Sequence, residues 1–467
     1  MRLDLVIING TLVDEYGSRP IDIGVVDGRV AQLATPGDLA ATGRAELIDA
    51  TGLWVLPGFV DPHVHCRAPD HPEREDFASG TAAAAAAGIT TILEMPIADV
   101  GVTSPEILHA RRKLAERDAH VDFGLFGAGG SIDRTLIHGL ADAGACGYKI
   151  FTLEVPPDRR RSFEGIMVTR EGELYHALSL IAETGLVCAV HAENDALLRI
   201  GREQARARGL TGADAYLTAH PQAAEAMAVA WLVVLAEATG ARVHVVHVTS
   251  AWALDLLRLA RRRGVAMTGE ACPHYLLFDE ETARRFGSWA KIAPPLRPAT
   301  DREALWAALA DGTLDFLASD HAPFLPEEKE IEDILAIPSG VPNLEAFPPL
   351  MLAAARDGRM PIHQMVGLLG ARAARLYGLY PQKGALQPGS DADLVLYDPA
   401  ANAQVRINTW QSRSRGSARI FDGIAYRGTI LRTIVRGRTV YQQGRIVGPK
   451  GWGQMVRPQR PGSDAGP

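Results

Sequence analysis

Eight short apolar runs separated by helix-patterned segments fill the middle of this 467-residue chain. The runs fall at residues 55–60, 90–95, 121–126, 146–151, 186–190, 243–248, 265–269 and 314–318. Helical spacing intervenes, for example over 79–87, 174–184, 223–239 and 251–263. A strand that is apolar at nearly every position has both faces covered, as in parallel sheets flanked by helices. Eight such β-α units close into a TIM-like (β/α)8 barrel, an α/β fold. Chemistry-bearing side chains of that fold collect at the C-terminal ends of the strands. The pattern therefore predicts a barrel over residues 53–384 and also where its site lies.

The two ends have a different texture. Residues 3–8 read as an apolar strand, Asn9-Gly10 as a turn and residues 25–30 as a hairpin. Residues 393–397 and 434–441 repeat that texture. Residues 1–52 and 385–450 are thus expected to form one small β domain from both termini. Residues 451–467, in a stretch rich in Pro, Gly and Arg, are expected to fray.

Composition excludes several function classes. A net charge of −7 provides no basic footprint for nucleic acid, and Arg159-Arg160-Arg161 reads as a solvated loop. The first ten residues lack a cationic segment followed by a long apolar one, so no signal peptide is expected. No run of about 18 apolar residues is present, so no membrane-spanning helix is expected. The four cysteines, Cys66, Cys146, Cys188 and Cys272, have no C-x-x-C spacing, which suits reduced thiols and a cytoplasmic enzyme. By strand alternation Cys66 should point away from its neighbour His65.

Candidate ligands sit where the barrel predicts them. His63 and His65 follow the first strand and, two apart, share a face. Lys149 lies on strand four, His191 closes strand five, His247 ends strand six and Asp320 ends strand eight. A single histidine near a strand end is more often a hydrogen-bonded core residue. Six candidates at five strand ends, in a chain with 14 histidines, are not explained that way. Four imidazoles and a carboxylate suit borderline cations, zinc first. An ammonium would repel a metal, but a neutral Lys149 carboxylated by carbon dioxide becomes an anionic ligand with two oxygens, able to bridge two metals. Such a pair acidifies a shared water and polarises a carbonyl. Asp320 is then the candidate to take the proton and return it to the leaving nitrogen.

With these residues stand several longer motifs: Pro57-Gly58-Phe59-Val60-Asp61-Pro62-His63-Val64-His65, Gly80-Thr81 ahead of the alanines, and Gly88-Ile89-Thr90-Thr91. Further on come Glu270-Ala271-Cys272-Pro273-His274-Tyr275-Leu276, Ala293-Pro294-Pro295-Leu296-Arg297, Ser319-Asp320-His321-Ala322-Pro323 and Gly389-Ser390-Asp391-Ala392-Asp393-Leu394. In these motifs the chain resembles the amidohydrolase superfamily, in its cyclic amidase branch of dihydroorotases, allantoinases and hydantoinases. The resemblance implies a distorted barrel with a β-sandwich from both chain ends. It implies two zinc ions, one on His63, His65 and Asp320 and the other on His191 and His247, bridged by N6-carboxylated Lys149. His274 would be structural or stand behind the ligands. The reaction implied is opening of a ring C–N amide bond by a hydroxide bridging the metals, and the partners implied are a small cyclic amide and further copies of the chain in a homodimer or homotetramer.

The substrate is less determined. Arg67 matches the arginine with which dihydroorotases grip a substrate carboxylate. Ile97 and Phe324 stand where that pattern has asparagine and histidine, and no tyrosine follows Lys149 as it does in hydantoinases. An apolar rim of Ile97, Phe324 and Leu325 favours a neutral cyclic ureide or imide of allantoinase or hydantoinase type, with dihydroorotate the alternative. A non-catalytic scaffold of this fold would have lost ligands, whereas all six are present here. Residues 153–169 and 323–342 are the expected lids. Backbone around residues 340–344, including Asn343, is expected to meet the substrate ring.

Overall fold

The computed structural model describes residues 2–39, 45–98, 100–155 and 157–459. Eight parallel strands form the central sheet: β6 (Phe59–Val64), β7 (Ile89–Glu94), β8 (Asp122–Ala128), β9 (Gly147–Phe151), β10 (Val187–His191), β11 (Arg242–Val245), β12 (Met267–Ala271) and β13 (Phe316–Leu317). They pair in chain order. The ends meet through a parallel bridge between Val64 and His321, where the His65 amide donates to the His321 carbonyl at 3.0 Å. The strands are buried almost throughout, which is why their sequence shows no alternation.

Helices α1 (Phe77–Ala86), α2 (Pro105–Asp118), α3 (Arg134–Ala143) and α4 (Glu171–Thr184) follow β6 to β9. Three more, α5 (Asp195–Ala207), α6 (Gly212–Ala219) and α7 (Gln222–Thr239), follow β10, and α8 (Ala251–Arg262) follows β11. Asp76 caps α1 by accepting from the Ser79 amide at 2.7 Å. The alanines of α1 let it pack closely, with Gly80 against the Cys66 sulfur, so Cys66 does face away from the strand-end site. All four cysteines are free and buried. The stretch Gly212–Thr239 is, against expectation, long and apolar enough by length and composition alone to cross a membrane. In the structure it is two helices broken at His220-Pro221, and α7 buries one face against α4 and α8.

The second sheet is built from both ends of the chain. It runs from β17 (Arg445–Ile446) through β16 (Arg438–Gln442), β15 (Ala425–Val435) and β14 (Leu394–Gln404) to β5 (Trp54–Pro57), β1 (Leu5–Asp14), β2 (Gly17–Val26) and β3 (Arg29–Ala34), with β4 (Glu46–Asp49) on β1. Three local expectations change. Residues 55–60 are not one strand, because Gly58 divides β5 of the outer sheet from β6 of the barrel. A Cβ there would collide with Thr90 and Asp393. Asn9-Gly10 is a bulge inside β1, with Asn9 at φ 61°, rather than a turn. The segment after residue 450 does not fray where it is described: Met455 bridges Phe123, the Val456 amide donates to the Phe123 carbonyl at 2.8 Å, and the Gln459 amide to the Gly378 carbonyl at 2.9 Å. Glycine at 453 permits this, since a Cβ would strike the Val121 backbone. Residues 460–467 lie outside the described residues.

Barrel and outer sheet are joined by a buried ion cluster. The Lys383 ammonium pairs with Asp391 and Asp393, each at 2.9 Å, and with Asp122 at the start of β8. The three carboxylates are close enough to suggest a cation site, but the ammonium already fills it. Removing one partner from a buried ion network leaves uncompensated charge. Lys383→Met is therefore expected to destabilise the protein by about 3–5 kcal/mol, read as a lower urea midpoint. A loss below about 1 kcal/mol, as for an exposed pair, would contradict the junction role.

Candidate metal centre and substrate cavity

The barrel brings the six candidate ligands together as a group of four, His63, His65, Lys149 and Asp320, and an adjoining pair, His191 and His247. His63 Nε2 and His65 Nε2 lie 3.3 and 3.5 Å from Asp320 Oδ1. Lys149 Nζ is 3.5 Å from His63 Nε2. His191 Nδ1 and His247 Nε2 are 3.0 Å apart, and the His63 and His247 rings are separated by 5.6 Å. All six residues are buried. His247 and Asp320 have φ of 41° and 47°, a left-handed backbone that non-glycine residues adopt rarely and that recurs at functional sites.

Carboxylates behind the imidazoles set their orientation. Glu270 accepts from His63 Nδ1 at 2.6 Å and from His244 Nε2 at 3.1 Å. Glu193 accepts from His191 Nε2 at 2.9 Å and from His220 Nδ1 at 2.9 Å. With those protons placed, His63 Nε2 and His191 Nδ1 turn lone pairs inward, as metal ligation requires. Burial opposes the charge of Glu270, but His63 and His244 outweigh it and hold the carboxylate below its usual range. Burial also lowers His63 to about 4 and depresses His65, His191 and His247, so all four are neutral ligand bases near neutrality. Lys149 is brought down to about 8 and Asp320 up to about 8, both chiefly by burial. A depressed amine is the form that reacts with carbon dioxide.

This donor set fits a pair of cations. The ligand atoms of His63, His65 and Asp320 all lie within 4.8 Å of one another. His65 and His247 turn Nε2 toward the cluster, at 3.5 Å from Asp320 Oδ1 and 3.0 Å from His191 Nδ1. Four neutral imidazoles, a carboxylate and an amine gathered without an ion would leave buried polar atoms uncompensated.

The site opens into a cavity of about 960 Å³, lined near the ligands by Arg67, Ile97, Phe151 and Phe324. Phe151 stacks on His191 at 4.5 Å. Arg67, at φ 53°, lays its guanidinium 4.7 Å over the Phe324 ring, and its Nε is buried without a partner. Burial, with Arg159 and Arg74 nearby, lowers Arg67 to about 9. The expected apolar rim is only one wall, since charged residues line the rest. Leu153, Glu154, Val155, Arg159, Ser162 and Phe163, and several residues from Phe324 to Gly340, line the cavity, in the regions expected to be lids. Asn343 does not line it. Its amide donates to the Ser319 carbonyl at 2.7 Å and its backbone N–H to His321 Nδ1 at 3.1 Å, so both donors are spent bracing the Asp320 loop from below. Gly340, by contrast, does line the cavity. His274 is buried, with Nδ1 3.3 Å from the Asn343 amide nitrogen.

Residues 54–440 match the Amidohydrolase family. The chain belongs to that family. An allantoinase from Rubrobacter xylanophilus is 39% identical over 98% of each chain. A dihydroorotase from Geobacter sp. is 34% identical over 95% of this chain and 100% of its own. The solved L-hydantoinase (dihydropyrimidinase) from Arthrobacter aurescens superposes with a TM-score of 0.92 at 34% identity, over 97% of this chain and 100% of that one. The barrel and the outer sheet of this amidohydrolase are thus the fold of its hydantoinase relative.

Sequence reasoning missed the carboxylates behind the ligands. Glu193, two residues after His191, carried a usable signal. Glu270 lay inside a recognised motif without a role. Glu270→Gln is expected to weaken zinc affinity about 10–100-fold, measured by chelator competition. Unchanged affinity would remove Glu270 from the orienting role.

Proposed function

We propose that this amidohydrolase is a binuclear zinc enzyme that opens a ring C–N amide bond of a cyclic ureide or imide, of the allantoinase or hydantoinase type. The observation that carries the reading is the convergence of His63, His65, His191, His247 and Asp320 at one cavity, with Lys149 against His63. The allantoinase and L-hydantoinase likenesses support the substrate type.

His63, His65 and Asp320 would hold one zinc, His191 and His247 the other, with carboxylated Lys149 between. Zinc bound there supplies Lewis-acid polarisation of the ring carbonyl and acidification of the attacking water. The chain's own residues do the rest. The cavity floor buries the scissile amide against Phe151 and Phe324 and so limits competing solvent. Asp320 stands at the ligand cluster, its Oδ1 3.3 and 3.5 Å from His63 Nε2 and His65 Nε2, placed to shuttle a proton. It accepts the proton of the water whose oxygen adds to the carbonyl carbon. It returns that proton to the ring nitrogen as the C–N bond breaks, leaving a carboxylate and a freed ureido or amide nitrogen. Gly340 at the cavity wall offers backbone to the ring.

Dihydroorotate is the second reading. It is favoured by the unpartnered buried Nε of Arg67 facing the cavity and by the dihydroorotase relative. Turnover across dihydroorotate, allantoin, hydantoin and dihydrouracil by zinc-loaded protein separates the two: neutral rings should open and dihydroorotate should lag. Fast, exclusive turnover of dihydroorotate would reverse the order.

Two variants test the roles. Asp320→Asn should keep the fold and most of the metal yet lose at least about 10²-fold in kcat, the scale of general acid–base catalysis. Retained turnover would remove Asp320 from proton transfer. Lys149→Ala should lose metal and activity together, with partial recovery of both in short carboxylic acids. Full metal occupancy in that variant would sink the bridging carbamate.

A further inference from the structure

A bare five- or six-membered ring leaves most of the cavity empty. At about 960 Å³ it lies at the upper end of the roughly 300–1,000 Å³ that encloses drug-sized ligands. It extends from the ligand cluster outward to α5 and to the loop at residues 331–340, reaching Arg202, Tyr216, Lys291 and Leu335. Ile97, Leu153, Val155 and Phe163, packed as one cluster, give the cavity an apolar wall.

The outer end is cationic. Arg202 is half-buried and makes no ion pair or hydrogen bond with another described residue. Lys291 is buried, and its ammonium donates to the Leu335 carbonyl at 3.3 Å and to that of Ile337. Burial first, then Arg159 and Arg202, lower Lys291 to about 7, so both arginines act on this end of the chamber. Of the neighbouring acids, Asp195 pairs with Arg199 at 3.1 Å, Glu154 with Arg160 at 3.8 Å, Glu328 with Arg74 and Glu193 with two histidines, while Asp333 accepts from the Leu335 amide at 2.9 Å and partly offsets the arginines at Lys291. A guanidinium in such a place matches a planar carboxylate with two parallel hydrogen bonds.

We propose that the substrate is a cyclic ureide or imide bearing an exocyclic substituent with an apolar, aryl-type stem along the Ile97–Phe163 wall and a carboxylate terminus held by Arg202. The inference rests on the ring-opening function proposed above. It differs from the Arg67 question, because the anion lies on the substituent and the ring itself is neutral.

The test is equilibrium binding of 5-(4-carboxybenzyl)hydantoin and its carboxamide isostere to the zinc-loaded Asp320→Asn protein, by calorimetry. The carboxylate should bind at least tenfold more tightly than the amide, and Arg202→Gln in the same background should bring the ratio close to one. Arg202→Glu should invert it, favouring the 4-(aminomethyl)benzyl analogue. Equal binding of carboxylate and amide, or a preference that survives both substitutions, would overturn the proposal. Ring opening of unsubstituted hydantoin by the wild-type holoenzyme is read separately. If it is absent while the carboxylate preference persists, the function reading fails and the anion site stands; if it is present without the preference, the reverse holds.

Discussion

Polar groups buried together in a dry barrel mouth are the constraint on which the rest of this molecule depends. Four imidazoles, a lysine and an aspartate are withdrawn from water at the ends of β6, β9, β10 and β11 and beyond β13. Each buried polar group without a partner costs on the order of 1–3 kcal/mol. The structure answers part of that cost with a ring of carboxylates. Glu270 holds His63 and His244, Glu193 holds His191 and His220, and Asp61 accepts the His63 and Ser319 amides at 3.2 and 3.0 Å. The ligand atoms of His63, His65 and Asp320 remain gathered within 4.8 Å of one another, close enough to hold a metal ion.

The outer domain contributes to that mouth as well as to the barrel's far end. Between β14 and β15 the chain reaches across to the catalytic face, where Ser417 donates to the Phe324 carbonyl at 2.6 Å and Ser414 to the Arg74 carbonyl at 2.7 Å. Ser412 donates to the buried Glu75, which in turn accepts from His321 Nε2 at 3.2 Å. His321 is the neighbour of Asp320, and its Nδ1 is held by the Asn343 amide. The cavity wall and the Asp320 loop are thus braced from a segment remote in sequence. At the opposite end Lys383 ties Asp122 to the outer sheet. Of the contacts that fix the sheet against the barrel, which include Thr433 donating to the Ala85 carbonyl at 2.6 Å, the one through Ser412 and Glu75 leads to the Asp320 loop.

Most of the barrel was legible because buried parallel strands are continuous apolar runs, and because ligand positions at strand ends are set by topology. His63 and His65 were readable from spacing alone, and Lys149 from its incongruity in an apolar strand. What escaped was whatever depends on contacts distant in sequence. Gly58 divides two strands because Thr90 and Asp393 crowd it, which no local pattern reveals. Residues 451–459 look like a frayed tail by composition but pair with Phe123 and Gly378. Asn343 was expected to meet the substrate ring but does not line the cavity, its donors being taken by Ser319 and His321. The arginine Arg202 on α5, which faces the cavity, carried no signal, since a surface helix with basic residues reads the same whether or not a chamber lies beside it.

The most direct test of the central claim is metal and carbamate content of the wild-type protein, loaded with zinc in ¹³C-labelled bicarbonate. The account predicts two zinc ions per chain, as a binuclear hydrolytic site requires, and a carbamate carbon resonance assigned to Lys149. One ion or fewer, or full occupancy with an unmodified Lys149, would contradict it.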